Sequence, residues 1–429
     1  MTSTRWAVLR RKPFVIVMGG ELVSMIGDSI YVIALTWLIL TESTPKVLAV
    51  SLICVVVPRA VLLLVGGALT DRLSARWVMF CSHASRVALV AALAATAAWG
   101  TLHAWHFFAI SAAFGVADAF FWPASKTIIA TLVPAEELVE ANAVNQVAEQ
   151  GASLGGPALG GLLVALVGPV PALVVNAATF LVAASTIWVA PRPAAESAPR
   201  SALSVRGTLT EIREGLSYAR RKPGVRVVLI IISAAALSYS GLFGVGLPAL
   251  AQTFSQSAFA LGLMYSCWGA GQFLGAASAG FTGLPHRWGL LIIAMAYVEG
   301  VSFAVLGFIP SLWLVAPLFV LLGFGVAYTT DVALPAWIQT TTPESVLGRV
   351  NSVIDVPRMI FEPLSIIMIG VLVSIDLRLA LFGAAVPMLT AAVVLSLSPT
   401  ARLMGSATGG AEDQHPSPVA PQSGRPARS

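Results

Sequence analysis

Apolar residues fall into twelve long runs, at about 14–40, 47–70, 77–99, 105–125, 142–167, 170–190, 226–250, 258–284, 288–309, 312–338, 350–374 and 379–399. A helix needs about 20 residues to cross a bilayer, so each run is a predicted membrane span. Tight breaks separate some of them, such as Gly168-Pro169 and Pro310-Ser311. The first run is too long for a signal peptide and no small-residue cleavage site follows it, so it reads as a retained span. The pattern predicts an all-α integral membrane protein of twelve transmembrane helices.

The one long polar insertion is Pro191–Arg226. It opens Pro-rich and continues with Thr208 and Glu211 at capping-box spacing, then Leu209, Ile212, Leu216 and Ala219 at helical spacing. A linker helix on the membrane surface is expected, ended by Pro223-Gly224. Gly405–Ser429 is rich in Pro, Ser, Gly and Ala and is expected to be a disordered tail. The expected organisation is a six-helix bundle at 1–190, a linker at 191–225, a second six-helix bundle at 226–400 and a tail at 401–429.

Composition narrows the function classes. Of 429 residues, 57% are hydrophobic and 10% charged, with mean hydropathy +0.86. Soluble domains carry roughly 25% charged residues. An ordinary soluble enzyme, a disordered chain and a nucleic-acid binder are excluded. Of the 25 Lys and Arg, twenty lie in the amino terminus, the even-numbered loops and the carboxyl tail. The net charge of +5 therefore needs no acidic partner, and the positive-inside rule places both termini in the cytoplasm. Cys54, Cys81 and Cys267 lie in apolar runs and make neither a disulfide framework nor a metal-ligand spacing. The five histidines are scattered and no Walker-type glycine loop is present, so no enzyme, cofactor or metal site is expected, and ATP is not the direct energy source.

The two halves of the chain repeat one another. Pro134, Asn142, Val144, Gln146 and Glu149 recur 209 residues later as Pro343, Asn351, Val353, Asp355 and Arg358. Asp118 and Asp331 lie 213 apart. Duplicated helical halves are a transporter architecture, with the substrate site near the bilayer midplane between them.

Three groups of motifs carry a family resemblance. Gly67, Asp71, Arg72 and Arg76 match the loop 2–3 motif of the major facilitator superfamily; Ser74 and Trp77 stand where the motif has a glycine and a basic residue. Gly156-Pro157-x-x-Gly160-Gly161 in span five resembles the G-P-x-x-G-G motif of drug:proton antiporters in that superfamily. Ser24-x-x-Gly27-Asp28, the stretch Phe121-Trp122-Pro123-Ala124-Ser125 running to Ala141-Asn142, and Glu211–Leu216 resemble the macrolide-efflux and enterobactin-exporter branch. The resemblance implies the major facilitator fold of two pseudo-symmetric six-helix bundles. It also implies that spans one, four, seven and ten line the cavity. Asp71 would face the start of span eleven near Arg349 as part of a gate. The Arg that many drug antiporters carry early in span four is missing, since His106–Gly115 contains none.

Charges inside spans are functional candidates, because each costs at least a few kcal/mol there. Glu21 and Asp28 share one face of span one, about 20° apart on a helical wheel. Glu21, Asp118 and Asp331 lie at similar depth, about eight residues from the cytoplasmic ends of their spans, with Arg86 of span three as a counter-ion. The family resemblance would bring these acids together around the cavity. Asn351, Asp355, Arg358 and Glu362 form one stripe of span eleven. Arg59 and Glu362 match in depth, so a bridge between the halves is expected. Glu299 has no partner visible in the sequence. Trp122, Tyr239, Tyr265, Trp268 and Tyr328 are candidates to stack on a lipophilic substrate.

The expected function is secondary export of lipophilic small molecules, in exchange for protons, by a monomer in the cytoplasmic membrane surrounded by lipid. An importer or facilitator of a small nutrient, or a non-transporting receptor or scaffold, are the alternatives; the first calls for a more polar lining, the second leaves the duplicated halves and buried charges without a role. Topology is directly testable. Cysteines placed at Leu102 or Ser255 should label from outside the cell and one at Gly207 only after permeabilisation; external labelling at Gly207 contradicts both the six-plus-six reading and its orientation.

Overall fold

The computed structural model describes residues 7–190, 222–254, 258–282 and 287–404, and only the backbone at 63–72, 344–349, 351, 352 and 355. The linker helix and the tail lie outside the described residues. The rest is helical: α1 Lys12–Glu42, α2 Pro45–Arg72, α3 Ala75–Ala98, α4 Ala104–Leu132, α5 Leu138–Val167, α6 Pro169–Val189, α7 Pro223–Thr253, α8 Ala258–Thr282, α9 Trp288–Leu306, α10 Leu312–Thr341, α11 Glu344–Val373 and α12 Leu377–Leu397. Eleven are long and apolar enough to cross a membrane. The remaining one, α8, has 25 residues, and its Gly, Ser, Gln and Tyr dilute its apolarity. Large apolar side chains such as Val61, Leu166, Phe281 and Leu397 stand exposed on the outside of the bundle, the surface that hydrocarbon covers.

Local chemistry sets the helix ends. Gly168, at φ +88, closes α5 through its N–H to the Val164 carbonyl at 2.9 Å, and Pro169 opens α6 in the same turn. The Asp376 carboxylate accepts from the Leu379 N–H at 2.9 Å to cap α12. Span four differs from expectation: α4 runs through Pro123 to Leu132, because neighbouring helices hold a proline-containing span in place. Asp118 therefore sits 14 residues from the end of α4 rather than about eight, nearer mid-membrane.

The repeat is visible in the helices. α1 and α7 start and end 211 residues apart, and α6 and α12 208 apart. The C-terminal half departs from regularity twice. Leu242–Gly246 in α7 and Ala327–Ala333 in α10 are π-helical. Such segments loosen the backbone hydrogen-bond register and concentrate at functional sites. Neighbours take up the loosened groups of α7. Ser365 Oγ of α11 accepts from the Gly241 N–H at 2.9 Å and donates to the Leu237 carbonyl at 2.6 Å. The Tyr265 hydroxyl of α8 donates to the Phe243 carbonyl.

The halves meet along α5 and α8, and α2 touches α7 and α11. The α5–α8 seam is made of small residues. A Cβ on Gly161 would lie 2.9 Å from the Cα of Gly262, and one on Gly269 would lie 2.7 Å from the Ser153 carbonyl. That carbonyl is the one Pro157 leaves without its helical N–H partner. The Ala158 N–H donates to Ser266 Oγ across the seam at 2.8 Å. These contacts, and that of Gly370 with Ala49, all lie toward the side opposite the termini. Toward the termini the same helix stripes are uncovered: Val147, one heptad before Leu154, is 67% exposed, and Phe273, four residues after Gly269, is 48% exposed. The apolar core divides accordingly. One cluster joins both halves, and a separate cluster of Phe14, Met79, Ile128, Ile187 and their neighbours serves the termini side of the first half alone. On that side, outside the membrane, Arg11 grips Glu137 through two hydrogen bonds of 2.5 and 2.7 Å. Arg11 holds the Glu137 carboxylate below its ordinary range, so this clamp persists through neutral pH and is lost as pH falls through that lowered value.

Gly262→Leu should wedge the seam apart and lower stability by about 1–3 kcal/mol or more. Gly155, with open space at its Cβ, is the control. Thermal unfolding of the purified proteins should show a loss for Gly262→Leu and none for Gly155→Leu; equal behaviour contradicts the seam.

Candidate functional site

The acids and bases buried in the first half form one network. His83 of α3 is fully buried, and its Nε2 lies 2.9 Å from Glu21 Oε1 of α1. One helical turn on, the Arg86 guanidinium bonds the Asp118 carboxylate of α4. It also lies over Phe121 at 4.3 Å and near Phe114 and Phe180 at 5.2 and 5.5 Å. Apolar rings alone would make a buried cation costly; the carboxylate and the ring faces together offset that. Asp28 is partly buried and within electrostatic reach of Arg86, Asp118 and Glu21. Ser24 Oγ, the Tyr31 hydroxyl, His83 Nδ1 and Arg86 Nε are buried without hydrogen-bond partners among the described residues. Three carboxyl groups, one guanidinium and one imidazole thus form a polar cluster flanked by Phe114, Phe121 and Phe180.

Asp331 does not join them. It lies exposed in the π segment of α10 in the second half, within electrostatic reach of Arg358. Glu299 of α9, 3% exposed, accepts from the Tyr239 hydroxyl of α7 at 2.6 Å. Tyr239 packs on Phe243, Trp268 and Phe303, and Phe243 stacks on Tyr265. Of the other aromatic candidates, Tyr328 bonds Thr282 and stacks on Phe324, while Trp122 is exposed. Glu362 senses both Arg358 and Arg59, but no ion pair joins Arg59 to Glu362 among the described residues. The expected bridge is an interaction at longer range. Glu149 accepts from Asn145 within α5 at 2.7 Å.

The span-five glycines face two ways. Gly156 and Gly160 seat α5 against Ser29 and Ile30 of α1, while Gly161 and the Pro157 carbonyl meet Gly262 of α8. A family model described as "transmembrane secretion effector", of the major facilitator superfamily, matches residues 3–422. The chain belongs to this family. It is 27% identical over 412 residues to the "Multidrug efflux pump Tap" of Mycolicibacterium fortuitum, covering 94% of this chain and 98% of that protein. It is 26% identical over 242 residues to the "Enterobactin exporter EntS" of Shigella flexneri, 55% of each chain. Its fold is that of a solved bacterial homologue of the human lysosomal transporter Spinster, captured inward-facing and unoccupied (TM-score 0.67, 13% identity, 95% of this chain and 98% of that one). The nucleoside transporter NupG shares it too (TM-score 0.70, 12% identity, 89% and 98%). The chain is therefore a transporter of the major facilitator fold and not an enzyme.

Within the family frame, Gly67, Asp71 and Arg72 end α2, and Arg349 lies in the first turns of α11; their side chains, with that of Asp355, lie outside the described residues. Arg76 is described, and its guanidinium donates to the Trp188 carbonyl at the end of α6 at 2.6 Å. One residue of the site and one contact were not visible in the sequence as such. His83 looked like one of five scattered histidines; its place three residues before Arg86 was the available signal. The Tyr239–Glu299 contact joins residues 60 apart and left no local trace.

The network makes a stability prediction. Asp118→Asn leaves Arg86 charged and unpaired among three rings, and should cost about 3–5 kcal/mol. Combining it with Arg86→Met should recover most of that loss, since no buried charge remains. If unfolding of the purified proteins ranks the double variant below Asp118→Asn, the pairing is not what holds these helices.

Proposed function

We propose that this protein is a secondary exporter of lipophilic small molecules, working by alternating access in the cytoplasmic membrane and exchanging its substrate for protons. The observation that carries the reading is similarity along nearly the whole chain to a multidrug efflux pump. The buried carboxyl network of the first half is consistent with it. Both termini face the cytoplasm in this reading, the units at 1–190 and 226–400 rock as bodies, and one chain suffices. Glu21, Asp28 and Asp118 are the coupling acids, with Arg86 as their fixed cation and His83 as the base beside Glu21. A proton arriving at Asp28 or Glu21 discharges the network, weakens its hold on Arg86 and changes which packing of α1 against α4 is preferred. Aromatic side chains such as Tyr239, Tyr265 and Trp268 supply contact to an apolar substrate in this reading.

Asp71 at the end of α2 acts as a gate residue. It faces the positive amino terminus of α11 together with Arg349 whenever the cytoplasmic ends close, which is worth about 1–2 kcal/mol at a partly buried helix end. Gly67 permits the approach, and Arg72 and Arg76 fix the turn.

Inverted vesicles test the reading. With an acid-inside gradient, vesicles carrying the protein should accumulate ethidium or another member of a lipophilic panel, and collapsing the gradient should release it. Glu21→Gln and Asp28→Asn should each lower accumulation several-fold at equal protein level. Accumulation that ignores the gradient, or survives both substitutions, contradicts proton exchange through this network.

A further inference from the structure

The second half holds a buried acid that the network above leaves unused. Glu299 lies inside α9 with its carboxylate oxygen 2.6 Å from the Tyr239 hydroxyl. The groups around it are few. α10 brings Asp331, which acts on both Glu299 and Tyr239 through space. α12 faces it near Leu389, which lies against Gly300; the charge of α12, Arg378, is at the far end on Phe308. The short helix Pro399–Leu403 meets α9 at its other end, near Gly289. From α7 comes Tyr239 itself, walled by Trp268, Phe243 and Phe303. Among the described residues the partners of Glu299 are thus a phenol and a second acid. Glu21 and Asp118 differ, each having a base or a cation in contact.

A carboxylate enclosed in apolar helices without a cation is costly, and a bound proton removes the charge. The position of this acid ties its charge to the backbone. Tyr239 lies three residues before the π segment of α7, and Asp331 lies within that of α10. Both irregular turns of the second half therefore border one carboxyl group.

We propose that Glu299 and Tyr239 form a second proton-binding site, in the C-terminal half, that reports its protonation to the π segments of α7 and α10. This rests on the proton-exchange reading above. One proton is taken up, converting the Glu299 carboxylate to the acid, and the same proton leaves when the carboxylate re-forms. Tyr239 donates to the carboxylate in the charged state and loses that role in the neutral one. Asp331, exposed in the π segment of α10 and within electrostatic reach of Arg358, is the positioning group that meets the proton on its way. Each change at Glu299 pulls or releases Tyr239 and with it the π segment of α7 three residues on.

The test reads the proton directly. Full-length protein in lipid nanodiscs is titrated while pH-difference infrared spectra record the carbonyl stretch of protonated carboxyl groups. The wild type should show a band that bleaches as pH rises, and Glu299→Gln should lack it. Tyr239→Phe, which keeps the ring and its packing, should keep the band and displace its titration midpoint by about one pH unit. An unchanged band in Glu299→Gln overturns the proposal, as does an unmoved midpoint in Tyr239→Phe. Ethidium transport in proteoliposomes separates this from the exporter reading. Glu299→Gln should lose gradient-driven uptake while keeping ethidium exchange across equal pH. A wild type that titrates at Glu299 but moves no ethidium supports the proton site and counts against the exporter reading.

Discussion

Polar groups cannot be left uncompensated in hydrocarbon, and that constraint organises this protein from its backbone to its buried charges. It restricts the spanning segments to helices, whose hydrogen bonds close within themselves. Where α7 relaxes into a π turn, Ser365 and Tyr265 reach across from α11 and α8 to the exposed backbone groups. Where charges enter the first half, two close pairs form among the described residues: His83 with Glu21 and Asp118 with Arg86. Such compensation is local and has more than one arrangement, which lets a proton or a substrate redistribute it.

A second constraint acts between the halves. Lipid provides no hydrophobic drive for helix association, so close backbone approach and a few cross-helix hydrogen bonds hold membrane helices together. Here the α5–α8 seam meets that need with Gly161, Gly262 and Gly269 and one bond from Ala158 to Ser266. The seam lies on the side opposite the termini, while the continuing stripes at Val147 and Phe273 are uncovered. Contacts of this kind separate without leaving charges stranded. A seam of glycines can therefore open where a seam of ion pairs would resist.

Much of this was legible in the chain and some was not. Apolar runs of bilayer length located the twelve long helices of the described residues, since hydrophobicity over about 20 residues is a strong signal. The Gly-Pro-x-x-Gly-Gly stretch marked a packing helix because only small residues admit two backbones so close. Helix ends were less visible: α4 passes through Pro123, whose disruptive tendency is overridden by tertiary packing. The π turns left no mark, as they arise from how neighbouring helices take up backbone groups. The family resemblance implied that Glu21, Asp118 and Asp331 would gather around the cavity, but shared depth says nothing of the angle around the bundle. Asp331 lies in the second half, within reach of Arg358 and Glu299, and the close partners of Glu21 and Glu299 are His83 and Tyr239. Those contacts depend on helix rotation, which one sequence does not encode at long range.

In the proposed exporter the two halves move as bodies about the α5–α8 seam, opening and closing the termini side in response to protonation. Spin labels at Val147→Cys and Phe273→Cys stand on facing stripes of that side, and pulsed electron resonance in nanodiscs reads their separation. Lowering the pH should shift the distance distribution between a longer and a shorter population, while a second pair at Lys46→Cys and Ile375→Cys, exposed on the opposite side, shifts in the reverse sense. A single distance for both pairs, unchanged across pH, would contradict the account.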